Sequence, residues 1–191
     1  MIANAELVRA RAHLAALHDL QNPLEVQLRV SAVINRLLTQ TAAPVVVVGG
    51  SAVSFYTGGA YLSRDVDLVT ETPTPQIGDI LEQVGFTRKD GAWVHRDVDV
   101  VVDFPASPLA GDPSRVVRVD TPEGHVGVIG LEDLLIDRLN AAVHWNDSEA
   151  REWCVTMLTL HRELDLQYLQ RRAATEAVTD ALRTVLDEAS A

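Results

Sequence analysis

Residues 45–69 read VVVVGGSAVSFYTGGAYLSRDVDLV, and the interpretation of this stretch decides the fold of the 191-residue chain. Val45 to Val48 form a β-branched run behind Pro44, the composition of an interior strand buried on both faces. Gly49 and Gly50 follow. With no Cβ, the pair lets the backbone turn tightly and approach another group closely. Ser51 is placed to cap the helix that follows. The open N–H groups and dipole of a helix start favour a phosphate or another anion. No Lys follows the glycines, so this is not a Walker loop.

The stretch ends in Ser63-Arg64-Asp65-Val66-Asp67-Leu68-Val69. Strand alternation puts Asp65 and Asp67 on one face and Val66 and Leu68 on the other. Two neighbouring carboxylates repel unless a positive charge lies between them, and hard oxygen ligands of this kind suit Mg²⁺ or Mn²⁺. A bare Asp-x-Asp also occurs as a solvated strand edge; the preceding Gly-Gly-Ser turn favours the metal-binding interpretation.

These residues carry a resemblance. The segment GGSAVSFYTGGAYLSRDVDLV resembles the signature of the polymerase-β-like nucleotidyltransferase superfamily, in which a Gly-Gly/Ser turn precedes a strand bearing Asp-x-Asp. VVDFPASPLAGD and DRLNAAVHWND are similar to stretches of small bacterial nucleotidyltransferases of the abortive-infection and type IV toxin-like group, so the similarity runs from Val45 to Asp147. It implies an α/β (α+β) nucleotidyltransferase fold: a short, mixed, twisted sheet with helices on one side and helical N- and C-terminal extensions. The corresponding division is 1–41 for the N-terminal helices, 42–147 for the catalytic core and 148–191 for the C-terminal helices.

The implied reaction moves a nucleoside monophosphate from an NTP to an acceptor hydroxyl. Asp65 and Asp67 would hold the metal, and Gly49, Gly50, Ser51 and Ser63 would position phosphates. A third carboxylate is needed to complete the metal site and take up the acceptor's proton. In 97–104 (DVDVVVDF), period two places Asp97, Asp99 and Asp103 on one face. The local pattern makes Asp99 attractive. The resemblance favours Asp103, which precedes Phe104-Pro105, and Asp99 is kept in reserve. The resemblance also turns Arg138 toward the nucleotide's phosphates, where a guanidinium grips two oxygens; the competing interpretation is a helix-surface Arg paired with a neighbouring acid.

The rest of the chain bounds the partners. A net charge of −11 argues against broad DNA or RNA binding, leaving a tRNA 3′ end, a protein or a small molecule as acceptor. Arg171-Arg172 is either a solvated face or the patch an RNA end would need. A catalytically inactive regulator of a toxin–antitoxin pair, with a cognate antitoxin as partner, is the alternative. The absence of a membrane-spanning stretch and of a basic-then-apolar start predicts a cytoplasmic protein without membrane contact. The single cysteine, Cys154, rules out an internal disulfide and reads as core.

Helices are expected over 4–20, from the Asn22-Pro23 restart to about Thr39, after Thr74-Pro75, over 131–145, and in three segments from Ser148 to Glu188. Asp90-Gly91 predicts a two-residue hairpin. Glu132 and Asp133 read as first-turn acids favoured by the helix dipole, and Trp145 as a packing anchor or a base-stacking ring.

Overall fold

A computed structural model describes residues 2–40, 42–105 and 107–190. The boundary drawn at 41 falls on Thr41, outside the described residues.

Two helices lead the chain. α1 (Asn4–Ala16) buries Leu7, Ala10 and Leu14. α2 (Pro23–Leu38) starts as the sequence predicts, with Asn22 accepting a hydrogen bond from the Glu25 N–H and Pro23 in the first turn. β1 (Val46–Val47), α3 (Gly49–Tyr56) and β2 (Val66–Val69) follow, then α4 (Thr74–Glu82). β3 (Thr87–Lys89) and β4 (Ala92–His95) form the predicted hairpin. Asp90 and Gly91 have φ of 51° and 96°, as a primed two-residue turn requires.

β5 (Val100–Asp103), β6 (Val117–Thr121) and β7 (Gly124–Val128) complete a seven-stranded mixed sheet in the order β3-β4-β5-β2-β1-β7-β6. β1 runs parallel to β7 and antiparallel to β2, while β2 runs parallel to β5. The chain ends in α5 (Leu131–His144), α6 (Ser148–Leu160), α7 (Leu166–Thr175) and α8 (Thr179–Ser190). The architecture is the expected mixed α/β one.

The two faces of the sheet differ. Val47, Val66, Leu68, Val102, Val126 and Val128 point into one core shared with helix residues such as Leu14, Ile34, Leu134 and Leu182. On the opposite face Val46, Val48, Asp67, Val101 and Asp103 are only half-buried. The valine run is therefore not buried on both faces: Val45 and Val47 face the core, and Val46 and Val48 line an open face. Four consecutive valines conceal that alternation because both registers are equally apolar.

The acidic strand is also shorter than its pattern suggests. Residues 96–99 turn the β4–β5 hairpin, with Asp99 exposed at φ 54°, so Asp97 and Asp99 lie in a turn and do not share a strand face with Asp103. Aspartate tolerates the left-handed region better than the valines beside it. Trp145 is 75% exposed and is not a buried packing anchor.

Arg29 of α2 forks onto the carboxylate of Glu123 in the β6–β7 turn, Nε to Oε2 at 2.9 Å and Nη2 to Oε1 at 2.5 Å, and Nη1 also reaches Glu25 at 3.0 Å. Glu123 is 4% exposed at its side chain. The pair pins the helical layer to the sheet, and both groups depend on each other for charge compensation. Glu123→Ala is expected to cost about 3 kcal/mol, the low end for breaking a buried pair because Glu25 still holds Arg29. Urea unfolding at neutral pH measures it.

Candidate active site

Where β1 ends, the chain turns directly into α3. Gly49 sits at φ +55°, and a Cβ there would lie 2.3 Å from Asp67 Oδ2. The glycine is required twice, by its backbone angle and by the carboxylate beside it. Gly50 donates its N–H to the same Oδ2 at 3.2 Å. One early donor of α3 thus meets an anion belonging to the protein.

Ser51 is not the cap of α3. The helix begins two residues earlier, with Val48 in the capping position and no side-chain cap. The Ser51 hydroxyl donates to the Asp65 carbonyl at 2.7 Å, and the Ser63 hydroxyl donates to the same carbonyl at 2.8 Å. Ser63 also lies 3.3 Å from Asp65 Oδ1. Two hydroxyls therefore fix the backbone just ahead of β2. Gln27, buried on α2, donates to the Ser63 carbonyl at 3.0 Å and so ties this bend to the helical layer.

Parallel pairing sets Asp67 directly beside Asp103. Asp103 Oδ1 accepts the Phe104 N–H at 2.9 Å, which orients it as the strand ends. Asp65 precedes Asp67 by two residues, about 7 Å along an extended chain. The Asp67 carboxyl is pushed up to about 6, first by burial and then by the charge of Asp65, with Asp103 adding to it; the Gly50 hydrogen bond and Arg138 act the other way.

Arg138 lies on α5 and lines a cleft of about 230 Å³ together with Gly49, Asp67, Pro105 and Pro108. Its Nε and Nη2 bond Oδ2 of Asp137 at 2.9 and 2.5 Å. It thus fits both interpretations given above, a cation facing the carboxylates and one paired with its neighbour. Asp99 stands apart, in the exposed turn at the other end of β5.

The donor set suits a hard cation. Asp67 is desolvated and crowded by like charge, and Mg²⁺ commonly takes one or two carboxylates with the remaining positions filled by water and phosphate. Among the described residues no three His, Cys, Asp or Glu side chains converge as a complete ligand cage. Any ion here would need ligands from a substrate.

Residues distant in sequence hold the wall of the cleft. Asp133, 1% exposed, is not a solvated helix-start acid. Its Oδ1 accepts the Tyr168 hydroxyl at 2.7 Å and lies 3.3 Å from Arg172 Nε, and its Oδ2 accepts the Asp112 N–H at 3.0 Å. Gly111 leaves room for it, since a Cβ there would meet the carboxylate at 2.5 Å. Arg115 stacks over the Tyr168 ring at 3.8 Å and pairs with Asp165. This clasp links α5, α7 and the segment after β5 that supplies Pro105 and Pro108. No local pattern reveals it, because Asp133 lies 21 residues from Asp112 and 35 from Tyr168, and Arg115 lies 50 from Asp165. Arg171 is exposed while Arg172 turns inward, so the two arginines do not form one basic face. Cys154 is fully buried, which raises its thiol to about 12.

A solved structure shares this fold. An antigenic nucleotidyltransferase-like protein from Paracoccidioides brasiliensis aligns with a TM-score of 0.57 over 87% of this chain and 93% of its own, at 17% identity. The chain carries a nucleotidyltransferase fold. Two structures of the antibiotic-resistance factor ANT(2″)-Ia align at TM-scores of 0.46. One is a solution structure, with 20% identity over 79% of this chain and 91% of that one; the other is a crystal structure with adenylyl-2″-tobramycin, with 18% identity over 75% and 92%. No protein-family model and no curated protein sequence matches.

In this nucleotidyltransferase fold the folded Asp67 carboxyl keeps its proton to about pH 6, whereas its ordinary value is 3.8. The protonated form therefore stabilises the fold fully below about pH 4, and that contribution is lost as pH rises through 6. In metal-free buffer, Asp67→Asn is expected to be more stable than the native protein at pH 7.5 by about 2 kcal/mol, with the gap closing by pH 4. Urea unfolding at the two pH values reads the difference.

Proposed function

We propose that the protein transfers a nucleoside monophosphate from an NTP to an acceptor hydroxyl with the help of Mg²⁺ or Mn²⁺. The observation that carries this reading is the meeting of Gly49, Asp67 and Arg138 in one cleft, with Asp103 paired beside Asp67. The fold supports it without fixing the activity, which belongs to the site.

The ion would be held by Asp67 and its neighbour Asp103, by Asp65 turned toward them, and by oxygens of the substrate, since the three carboxylates do not converge by themselves. When bound, it would supply positive charge to the triphosphate oxygens as a Lewis acid. Ser51 and Ser63 act by fixing Asp65, and Gly49 acts by allowing Asp67 to approach the start of α3. Arg138, released from Asp137 by a stronger anion, grips phosphate oxygens in a two-pronged contact. Asp103 accepts the proton of the acceptor hydroxyl. The hydroxyl oxygen then attacks the α-phosphorus, the bond to the bridging oxygen of the β-phosphate breaks, and pyrophosphate leaves. Catalysis in this scheme is positioning and charge stabilisation.

A small molecule is favoured over a tRNA end as the acceptor. The chain's net charge is −11, and Arg172 is committed to Asp133 and Glu176. A protein hydroxyl is compatible with the same chemistry. A second interpretation, a regulatory protein that binds nucleotide without turnover and answers to a cognate antitoxin, draws on the lack of a complete carboxylate cage among the described residues.

Two measurements separate these interpretations. Calorimetry with non-hydrolysable NTP analogues and Mg²⁺ or Mn²⁺ is expected to show metal-dependent binding that disappears in the Asp65→Asn/Asp67→Asn double variant; no binding to the native protein rejects the transferase. Asp103→Asn is expected to retain nucleotide binding while lowering pyrophosphate release by about 10²-fold or more, as loss of a proton acceptor does. Unchanged release would remove Asp103 from the mechanism.

A further inference from the structure

A second cavity opens beside that cleft, shares Val69 with it and reaches the same face of the sheet. Its floor is a row of cross-strand neighbours, Arg118 of β6, Gly127 of β7, Val46 of β1 and Val69 of β2, each paired with the next. The adjacent row on that face contains Val48, Asp67 and Asp103: the Val48 N–H bonds the Asp67 carbonyl, and Asp67 pairs with Asp103. The two rows are separated by two residues along each strand, about 7 Å. Val69 belongs to both cavities, and the segment after β5 roofs both, with Leu109 over the second and Pro105 and Pro108 over the first.

The second cavity has a volume of about 390 Å³, within the range of small-molecule sites. Gly127 deepens it. A Cβ there would strike Val116 Cγ1 at 2.6 Å, so the glycine lets the wall close over a floor without a side chain. Three polar side chains around it are engaged within the protein. The Asn35 amide donates to the His125 carbonyl and accepts from the Val45 N–H, Thr70 bonds Thr72 and the Ala43 carbonyl, and Arg118 pairs with Asp120. What remains for a ligand is chiefly valine, leucine and proline surface. Glu71 and His125 stand exposed at the mouth.

We infer that this cavity binds the body of the acceptor, and that the acceptor is a neutral, ring-bearing alcohol or phenol whose hydroxyl projects toward Asp103. This inference rests on the nucleotidyl-transfer reading. A polyamino sugar would need a carboxylate-lined wall, and an RNA end would need free cations; the cavity has neither as its main surface. An apolar ring meets matching surface there, and its hydroxyl has a single row of the sheet to span. In the transfer the hydroxyl proton passes to Asp103, the oxygen–phosphorus bond forms, the α–β anhydride bond breaks, and pyrophosphate departs with the bridging oxygen.

The test uses the full chain with Mg²⁺, each NTP, and 2-naphthol and cyclohexylmethanol as probe acceptors, with tobramycin and a short RNA as comparators. Pyrophosphate release and the mass of the nucleotidylated product are followed. Val46→Trp fills the cavity from the half-exposed floor and Leu109→Trp fills it from the roof; both are checked for native thermal unfolding and nucleotide affinity. Release is expected with at least one of the two ring alcohols, not with the comparators, and is expected to fall at least tenfold in whichever tryptophan variant folds and still binds nucleotide. Nucleotide binding without such cavity-dependent transfer overturns the acceptor assignment alone. Transfer to tobramycin or RNA in preference to the ring alcohols overturns it as well. Failure to bind any nucleotide overturns both this inference and the reading beneath it.

Discussion

Asp67 rests against a stretch of backbone that has no side chain, and most of the site follows from that contact. A carboxylate this close to the start of a helix needs a residue that tolerates positive φ and presents no Cβ, and Gly49 meets both conditions. The Gly50 N–H then binds the oxygen that Gly49 admits. The helix start and the acidic strand are thereby locked into one register. The two serine hydroxyls on the Asp65 carbonyl secure the same register from the other side.

The electrostatic consequence is strain held in reserve. Partial burial and a second aspartate two residues away push Asp67 toward protonation, and the parallel neighbour Asp103 adds to that pressure. An isolated protein answers by binding a proton; a cation answers the same need at higher pH. The arrangement gains from an incoming positive charge, which is the physical content of calling it a candidate metal and nucleotide site.

The C-terminal helices shape the site from a distance. Asp133, Tyr168 and Arg172 hold the Asp112 backbone, and Arg115 lies across the Tyr168 ring. Burial, followed by the Asp133 carboxylate, raises the Tyr168 hydroxyl to about 12, so it remains a donor at ordinary pH. The segment that lines both cavities is therefore anchored to α5, which also lends Asp137 and Arg138 to the cleft, and to α7, which lines neither cavity.

The elements set by local rules were legible in the sequence: the Asn22-Pro23 helix start, the Asp90-Gly91 hairpin, the Gly-Gly turn into a helix and the buried Cys154. Each depends on a backbone preference or a polarity that neighbouring residues determine among themselves. The acidic strand shows where that reasoning stops. Period two equates Asp99 with Asp103, yet a turn at 96–99 removes the first, and only pairing with β2 sets the second beside Asp67. The valine run likewise hides which face is open, since either register buries the same chemistry. Tertiary structure alone decided the Asp133 clasp, the second cavity and the inward turn of Arg172, because each depends on groups that approach one another only after the sheet and its helices have packed.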